Sequence, residues 1–206
     1  GLYEDLEQAD LVVLTGSNLA WCHPVLYQRI VAAKKARPQM QVVNIDPRRI
    51  ATCDIADLHL ALDPGSDVAL FNRLLAEIQQ QGALDAAFIA DHVDGFEAAL
   101  DAASSCDSSI TGLSEAQIQQ FCNMWISTGK VVTVFSQGVN QSNAGTDKVN
   151  AITNCHLATG RIGKPGMGPF SVTGQPNAMG GREVGGLANM LACHLDLENA
   201  EHRSAV

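Results

Sequence analysis

The chain reads as an α/β protein with a doubly wound, mostly parallel sheet, a Rossmann-like three-layer αβα sandwich with a glycine-rich C-terminal extension. Three observations predict it. Short apolar runs rich in β-branched residues recur along the chain. Each of the first runs is closed by Gly or Pro and followed by a helical pattern. The connections are short, as right-handed crossovers between parallel strands allow.

Residues 1–8 (GLYEDLEQ) have the spacing of an amphipathic helix entering a strand. Residues 10–16 (DLVVLTG) are apolar on both faces, the signature of a parallel strand covered on each side. The turn GSNLAWCHP leads into VLYQRIVAAKKA, whose basic end suits a helix finishing before Pro38. Residues 41–46 (QVVNID) form a second strand stopped by Pro47, and residues 58–62 (LHLAL) a third. DPGSD then opens the helical run VALFNRLLAEIQQQ. Residues 83–128 are more polar and helical; Ser114 and Gln117 have the spacing of a capping box for a helix reaching about Ser127. Residues 130–136 (KVVTVFS) form another buried strand and residues 148–159 a helix. Residues 160–190 are dense in Gly and Pro, a pattern more typical of a ligand-wrapping loop than of a linker. Residues 1–136 are thus expected to form a dinucleotide-binding α/β domain. Residues 137–206 form a cofactor- and substrate-proximal segment that continues this domain or enters a second, truncated one.

Composition narrows the function. Hydrophobic residues make up 46% of 206 and charged residues 17%, enough to bury a sizeable core. The net charge is −9 without a basic cluster, which argues against a nucleic-acid or anionic-membrane surface. A bound phosphate must then be held by backbone N–H groups and a few placed arginines. No run of 18 apolar residues exists to span a bilayer. The six cysteines lie far apart without a CxxC pair, so a closely spaced zinc or iron–sulfur motif is absent, and they read as buried thiols in a reducing compartment. There is no initiator Met and no signal peptide, and the chain reads as cut from a longer polypeptide.

Three turns carry candidate chemistry, all on the carboxyl edge of the sheet, where open α/β folds bind ligands. Gly16, Ser17 and Asn18 bring backbone close to a ligand and open a helix whose free N–H groups suit phosphate; an ordinary capped βα turn has the same residues. Asp46, Pro47 and Arg48 sit where an acid meets a ribose and an arginine a phosphate; an Asp-Pro turn with solvated arginines is the plain alternative. Gly65, Ser66 and Asp67 follow the third strand. Asp67 is either a helix N-cap or a carboxylate accepting two parallel hydrogen bonds from a guanine edge. In the glycine-rich part, Gln137, Gln141 and Gln175 are neutral donor–acceptor groups of the kind that read a pterin edge. Arg182 either binds an anionic substrate or pairs with the adjacent Glu183.

LTGSNLAWCHP, NIDPRR with ADLHLALDPGSD, SQGVNQ and TGRIGKPGMGPFSVTGQPNAMGGREVGG together resemble the catalytic subunits of bacterial nitrate reductases that use molybdenum bis(molybdopterin guanine dinucleotide). The likeness covers essentially the whole chain in order and is strongest to the assimilatory, cytoplasmic type; Gln137 favours that branch, since periplasmic relatives commonly carry Met there. The resemblance implies that Gly16, Ser17, Asn18, Asp46, Pro47, Arg48, Gly65, Ser66 and Asp67 hold one guanine dinucleotide arm. It places Gln137 and Gln141 at the cofactor near the metal, and Gln175 and Arg182 at the substrate end. It implies nitrate reduction to nitrite by oxygen-atom transfer, with Arg182 as the catalytic residue orienting nitrate. It also implies a 4Fe-4S cluster ligated outside this fragment and an electron donor such as ferredoxin, flavodoxin or an NADH-linked subunit. No cysteine here has a metal-ligand context, so no metal ligand is assigned, and the fragment alone is expected to catalyse nothing. The rival readings are the central domain of a thiamine-diphosphate enzyme, which would lack the GQPNAMGGREVGG tail, and a non-catalytic molybdopterin-fold scaffold, which would lose Gln141, Gln175 and Arg182.

Overall fold

The computed structural model describes residues 1–172, 183–185 and 190–205. Contacts divide the chain into two compact units, Gly1–Val172 and Thr173–Val206.

The first unit is built on five parallel strands, β1 (Leu11–Thr15), β2 (Gln41–Ile45), β3 (Leu58–Leu60), β4 (Val131–Phe135) and β5 (Gly168–Ser171), in the spatial order β3-β2-β1-β4-β5. Leu11 to Thr15 pair in register with Gln41 to Ile45 on one side and with Val131 to Phe135 on the other. The expected doubly wound parallel sheet is therefore present. The strand order reverses between β1 and β4, which makes their carboxyl ends the switch point of the fold.

Alternation along the strands feeds two cores. Leu11, Val13, Val43, Ile45, Leu60, Val131 and Phe135 point to one face of the sheet. There they meet α4 (Asp67–Gln80), α6 (Phe96–Ser104), α7 (Glu115–Ser127) and α9 (Gly145–Ala158). Val12, Leu14, Val42, Val132 and Val134 point to the other face, against α1 (Asp5–Gln8), α2 (Leu19–Cys22) and α3 (Pro24–Ala36). Strands buried on both faces need the continuous apolar runs this sequence supplies. Two further short helices, α5 (Ala86–His92) and α8 (Gln137–Asn140), complete the unit.

Several elements end as the sequence demands. Pro24 opens α3, where its missing N–H is no loss, and Lys34 and Lys35 lie in the last turn. The Ser114–Gln117 capping box is formed in both directions at the start of α7. Two expectations need correction. β3 stops at Leu60 rather than continuing to Leu62. The glycine-rich segment also contributes β5, a short edge strand whose Gly and Pro hide it from a β-propensity reading.

The six cysteines are free. Cys53, Cys122 and Cys155 are buried, whereas Cys22 and Cys193 are exposed, so the buried-thiol expectation holds for only part of the set. No helix among the described residues is long and apolar enough to cross a membrane. In the second unit, Ala192–His194 forms a 3-10 turn and Ala200–Ala205 a short helix. The Glu183 carboxylate there lies 3.2 Å from His194 Nε2.

Candidate functional site

A cleft of about 580 Å³ opens at the switch point, within the range of roughly 300–1,000 Å³ typical of small-molecule sites. Its walls come from the turns after β1, β2, β3 and β4. Gly16, Asn18, Asp46, Pro47, Arg48, Gly65, Asp67 and Gln137 all line it. The three turns singled out in the sequence thus share one groove.

Its floor is a contact between two glycines. Gly16 has φ +54°, and its carbonyl accepts a 3.0 Å bond from Gly138 N–H. A Cβ on Gly16 would sit 2.9 Å from the Gly138 and Val139 backbone, and one on Gly138 would sit 2.8 Å from Gly16. Both positions therefore require glycine, and the requirement brings the β1 and β4 turns together.

Each wall is fixed locally. Asn18 Oδ1 accepts a 3.1 Å bond from the Thr52 hydroxyl, and Thr52 Oγ1 accepts from Ala20 N–H. Thr52, absent from the sequence reading, thereby orients Asn18 and leaves its amide nitrogen as a donor. Ser17 Oγ is buried without a hydrogen-bond partner among the described residues. Asp46 Oδ1 accepts from Arg48 N–H at 2.9 Å, the Asx turn that Asp-Pro initiates. The Arg48 guanidinium lies 4.0 Å from the same oxygen and is 79% exposed.

Asp67 departs from one expectation. Ser66 is the N-cap of α4 and Asp67 its first residue; the Ser66 hydroxyl donates to Asp63 O at 2.6 Å instead of capping. The Asp67 carboxylate meets Lys148 Nζ at 2.8 Å, and both side chains are buried. The turn after β1 also differs from expectation. It opens only the one-turn α2, so any dipole aimed at a phosphate there is small. Ser66 is buried and does not line the cleft, and neither do Ser17 and Gln141. Gln175 and Arg182 lie outside the described residues.

Sequence reasoning missed Ser142, Asn143 and Lys148, which reach the cleft from the β4 side. Nothing local separates them from surface polar residues. Only the β1–β4 adjacency brings them in.

The largest displaced titrations are elsewhere. His156, buried on α9, is lowered to about 3, first by burial and then by the charge of Arg161. Its Nε2 lies 2.9 Å from Thr133 Oγ1 and its ring meets Trp125 edge-on. Burial lowers Arg161 to about 10; its guanidinium stacks 4.4 Å from the Trp125 ring. Burial also pushes the Cys122 thiol up to about 12. His156 and Cys122 are sealed in the core and Arg161 is half-buried against Trp125, so their shifts report packing rather than chemistry. Among the described residues no group of three or more His, Cys, Asp or Glu side chains is arranged to hold a metal ion.

The fold and the cleft define a class, parallel α/β domains with a ligand groove at the switch point. Comparison makes the class specific. The chain belongs to the molybdopterin oxidoreductase family, whose profile matches residues 2–205. It is 56% identical over 200 residues to a nitrate reductase of Klebsiella oxytoca, covering 95% of this chain and 22% of that protein. It is 51% identical to a nitrate reductase of Shewanella frigidimarina, covering 98% and 22% respectively. A periplasmic nitrate reductase of Desulfovibrio desulfuricans is 33% identical over 99% of the chain and 29% of its own length. The chain therefore spans between a fifth and a third of these relatives. Among solved structures, acetylene hydratase from Pelobacter acetylenicus shares the fold, with a TM-score of 0.64 at 20% identity over 75% of this chain and 23% of that one.

Proposed function

We propose that this chain is the central part of a molybdenum-dependent nitrate reductase, and that its cleft holds one guanine dinucleotide arm of the bis(molybdopterin guanine dinucleotide) cofactor. The carrying observation is that Asn18, Asp46 and Asp67, from three separate turns, line one groove of nucleotide size. The residues fit such a group. Among the described residues Asn18 keeps a free amide donor, Arg48 supplies a cation for an anionic tail, and a Cβ on Gly65 would meet nothing within 4 Å. Asp46 suits a ribose hydroxyl, Asp67 a guanine edge, and Gln137 the approach to the pterin.

When bound, the cofactor supplies two-electron oxygen-atom transfer, and the protein supplies position and field. Arg182 and Gln175, both outside the described residues, serve the substrate end, with Arg182 taking the nitrate anion. Gln141, on the exposed end of α8, meets cofactor brought in by the remainder of the longer polypeptide. That remainder carries the metal ligand and a 4Fe-4S cluster and docks a ferredoxin-, flavodoxin- or NADH-linked donor. The assimilatory, cytoplasmic assignment rests on Gln137. Identities of 51–56% to nitrate reductases favour this reading over a thiamine-diphosphate domain or a scaffold subunit.

The test uses the longer enzyme. Asp67→Ala should lower its molybdenum and GMP content several-fold. Arg182→Ala should raise KM for nitrate at least ten-fold with full molybdenum content. A fully loaded Asp67→Ala enzyme would remove the guanine assignment, and unchanged kinetics would remove Arg182 from the substrate site.

A further inference from the structure

Resting on the guanine reading of the cleft, we propose that Lys148 sets base selectivity by fixing the orientation of the Asp67 carboxylate. Lys148 is 3% exposed and Asp67 6%, yet both line the cleft, and Nζ lies 2.8 Å from Oδ2. A buried lysine needs a reason to face a groove when its chain could snorkel to solvent. The other titratable groups on the cleft wall are Cys22, Asp46 and Arg48. Arg48 leans on Asp46 and is largely in solvent, so among the described residues Lys148 is the cation that reaches Asp67. The N-terminus of α4 favours the same anion, more weakly.

The charge state of Asp67 decides which base edge it can read. A carboxylate presents two acceptors, the complement of guanine's N1–H and 2-amino donors. A neutral acid presents one donor and one acceptor, which complement the N1 and 6-amino edge of adenine or the N3 and 4-amino edge of cytosine. Each carboxylate oxygen has two lone-pair directions, so Oδ2 can accept from Lys148 and from guanine together. Without Lys148, the buried Oδ2 loses the partner that fixes the carboxylate, and its two acceptors are no longer held side by side toward the base. Lys148 is thus a positioning residue that acts through Asp67.

The experiment is calorimetric titration of the 206-residue chain with GDP, ADP and CDP, with folding of each variant checked by circular dichroism. The wild-type chain should prefer GDP by about 10- to 100-fold. Lys148→Gln, which keeps a donor but no charge, should bring that preference to within about three-fold, and Lys148→Arg should keep it. Asp67→Asn, whose amide mimics the donor–acceptor pattern of the neutral acid, should favour ADP or CDP. This last variant tests the edge-reading logic even where Lys148→Gln fails to fold. If Lys148→Gln keeps the full GDP preference, or Asp67→Asn still favours GDP, the proposal is overturned while the cleft remains a guanine site. A wild-type chain without GDP preference overturns the guanine reading itself.

Discussion

The two edges of the sheet carry similar charged residues and use them in opposite ways. At the amino edge, Arg37 bonds Asp10 at 3.0 Å and donates to the carbonyls of Glu7 and Ala9. Lys34 pairs with Asp57 at 2.6 Å and donates to Met40 O, while Asp57 also accepts from Val42 N–H. Asp5 accepts from Leu2 N–H and from Gly166 N–H. These groups are consumed in tying strand entrances to one another. At the carboxyl edge, Asn18, Asp46, Asp67 and Lys148 are each held by one or two internal bonds and keep capacity facing a groove. The difference between the structural edge and the edge proposed to bind the nucleotide is therefore one of saturation, not of composition.

The largest effect expected from solution measurements lies in the core between the edges. Because His156 stays neutral in the fold to about pH 3, the unfolded chain alone takes up a proton as pH falls below about 6.5. The stability tied to His156 is thus complete above pH 6.5 and is lost toward acid, with a slope approaching 1.4 kcal/mol per pH unit, roughly. Urea titrations at pH 7.0, 5.5 and 4.5 should show this loss, and His156→Gln should flatten it. An equal slope in the variant would move acid lability to the edge ion pairs.

Next, Arg37→Ala should lower unfolding free energy by about 1.5–3 kcal/mol, the range for charge-assisted bonds, and leave GDP affinity unchanged. A change in GDP affinity would break the division between the edges. The smallest effect is expected for Ser17→Ala. Its hydroxyl is buried and makes no bond among the described residues, so its removal should change stability by less than about 0.5 kcal/mol or raise it slightly. A loss above about 1 kcal/mol in chemical denaturation would show that the carboxyl edge is saturated too.

What the sequence disclosed follows the same division. β1, β2 and β4 were legible because a doubly buried parallel strand must be an unbroken apolar run, and Gly16 and Pro47 mark where two of those runs end. The three turns were legible because chain order fixes which ends of parallel strands share an edge. β5 was hidden by Gly168 and Pro169, which an edge position tolerates. Lys148 and Thr52 were hidden for a different reason. A lysine in the first turn of α9 and a threonine in a 3-10 turn look like surface residues until tertiary packing sets them against Asp67 and Asn18. Local pattern reports what backbone needs, whereas partners across the fold come from topology.

An amide chemical-shift map of the chain titrated with GDP reads both edges residue by residue. A guanine site at the carboxyl edge should confine the shifts to residues 16–18, 46–48, 65–67, 136–143 and 148, with residues 5–10, 34–37 and 57 at the opposite edge unmoved. Shifts spread over both edges, or none at residues 16–18 and 65–67, would contradict it.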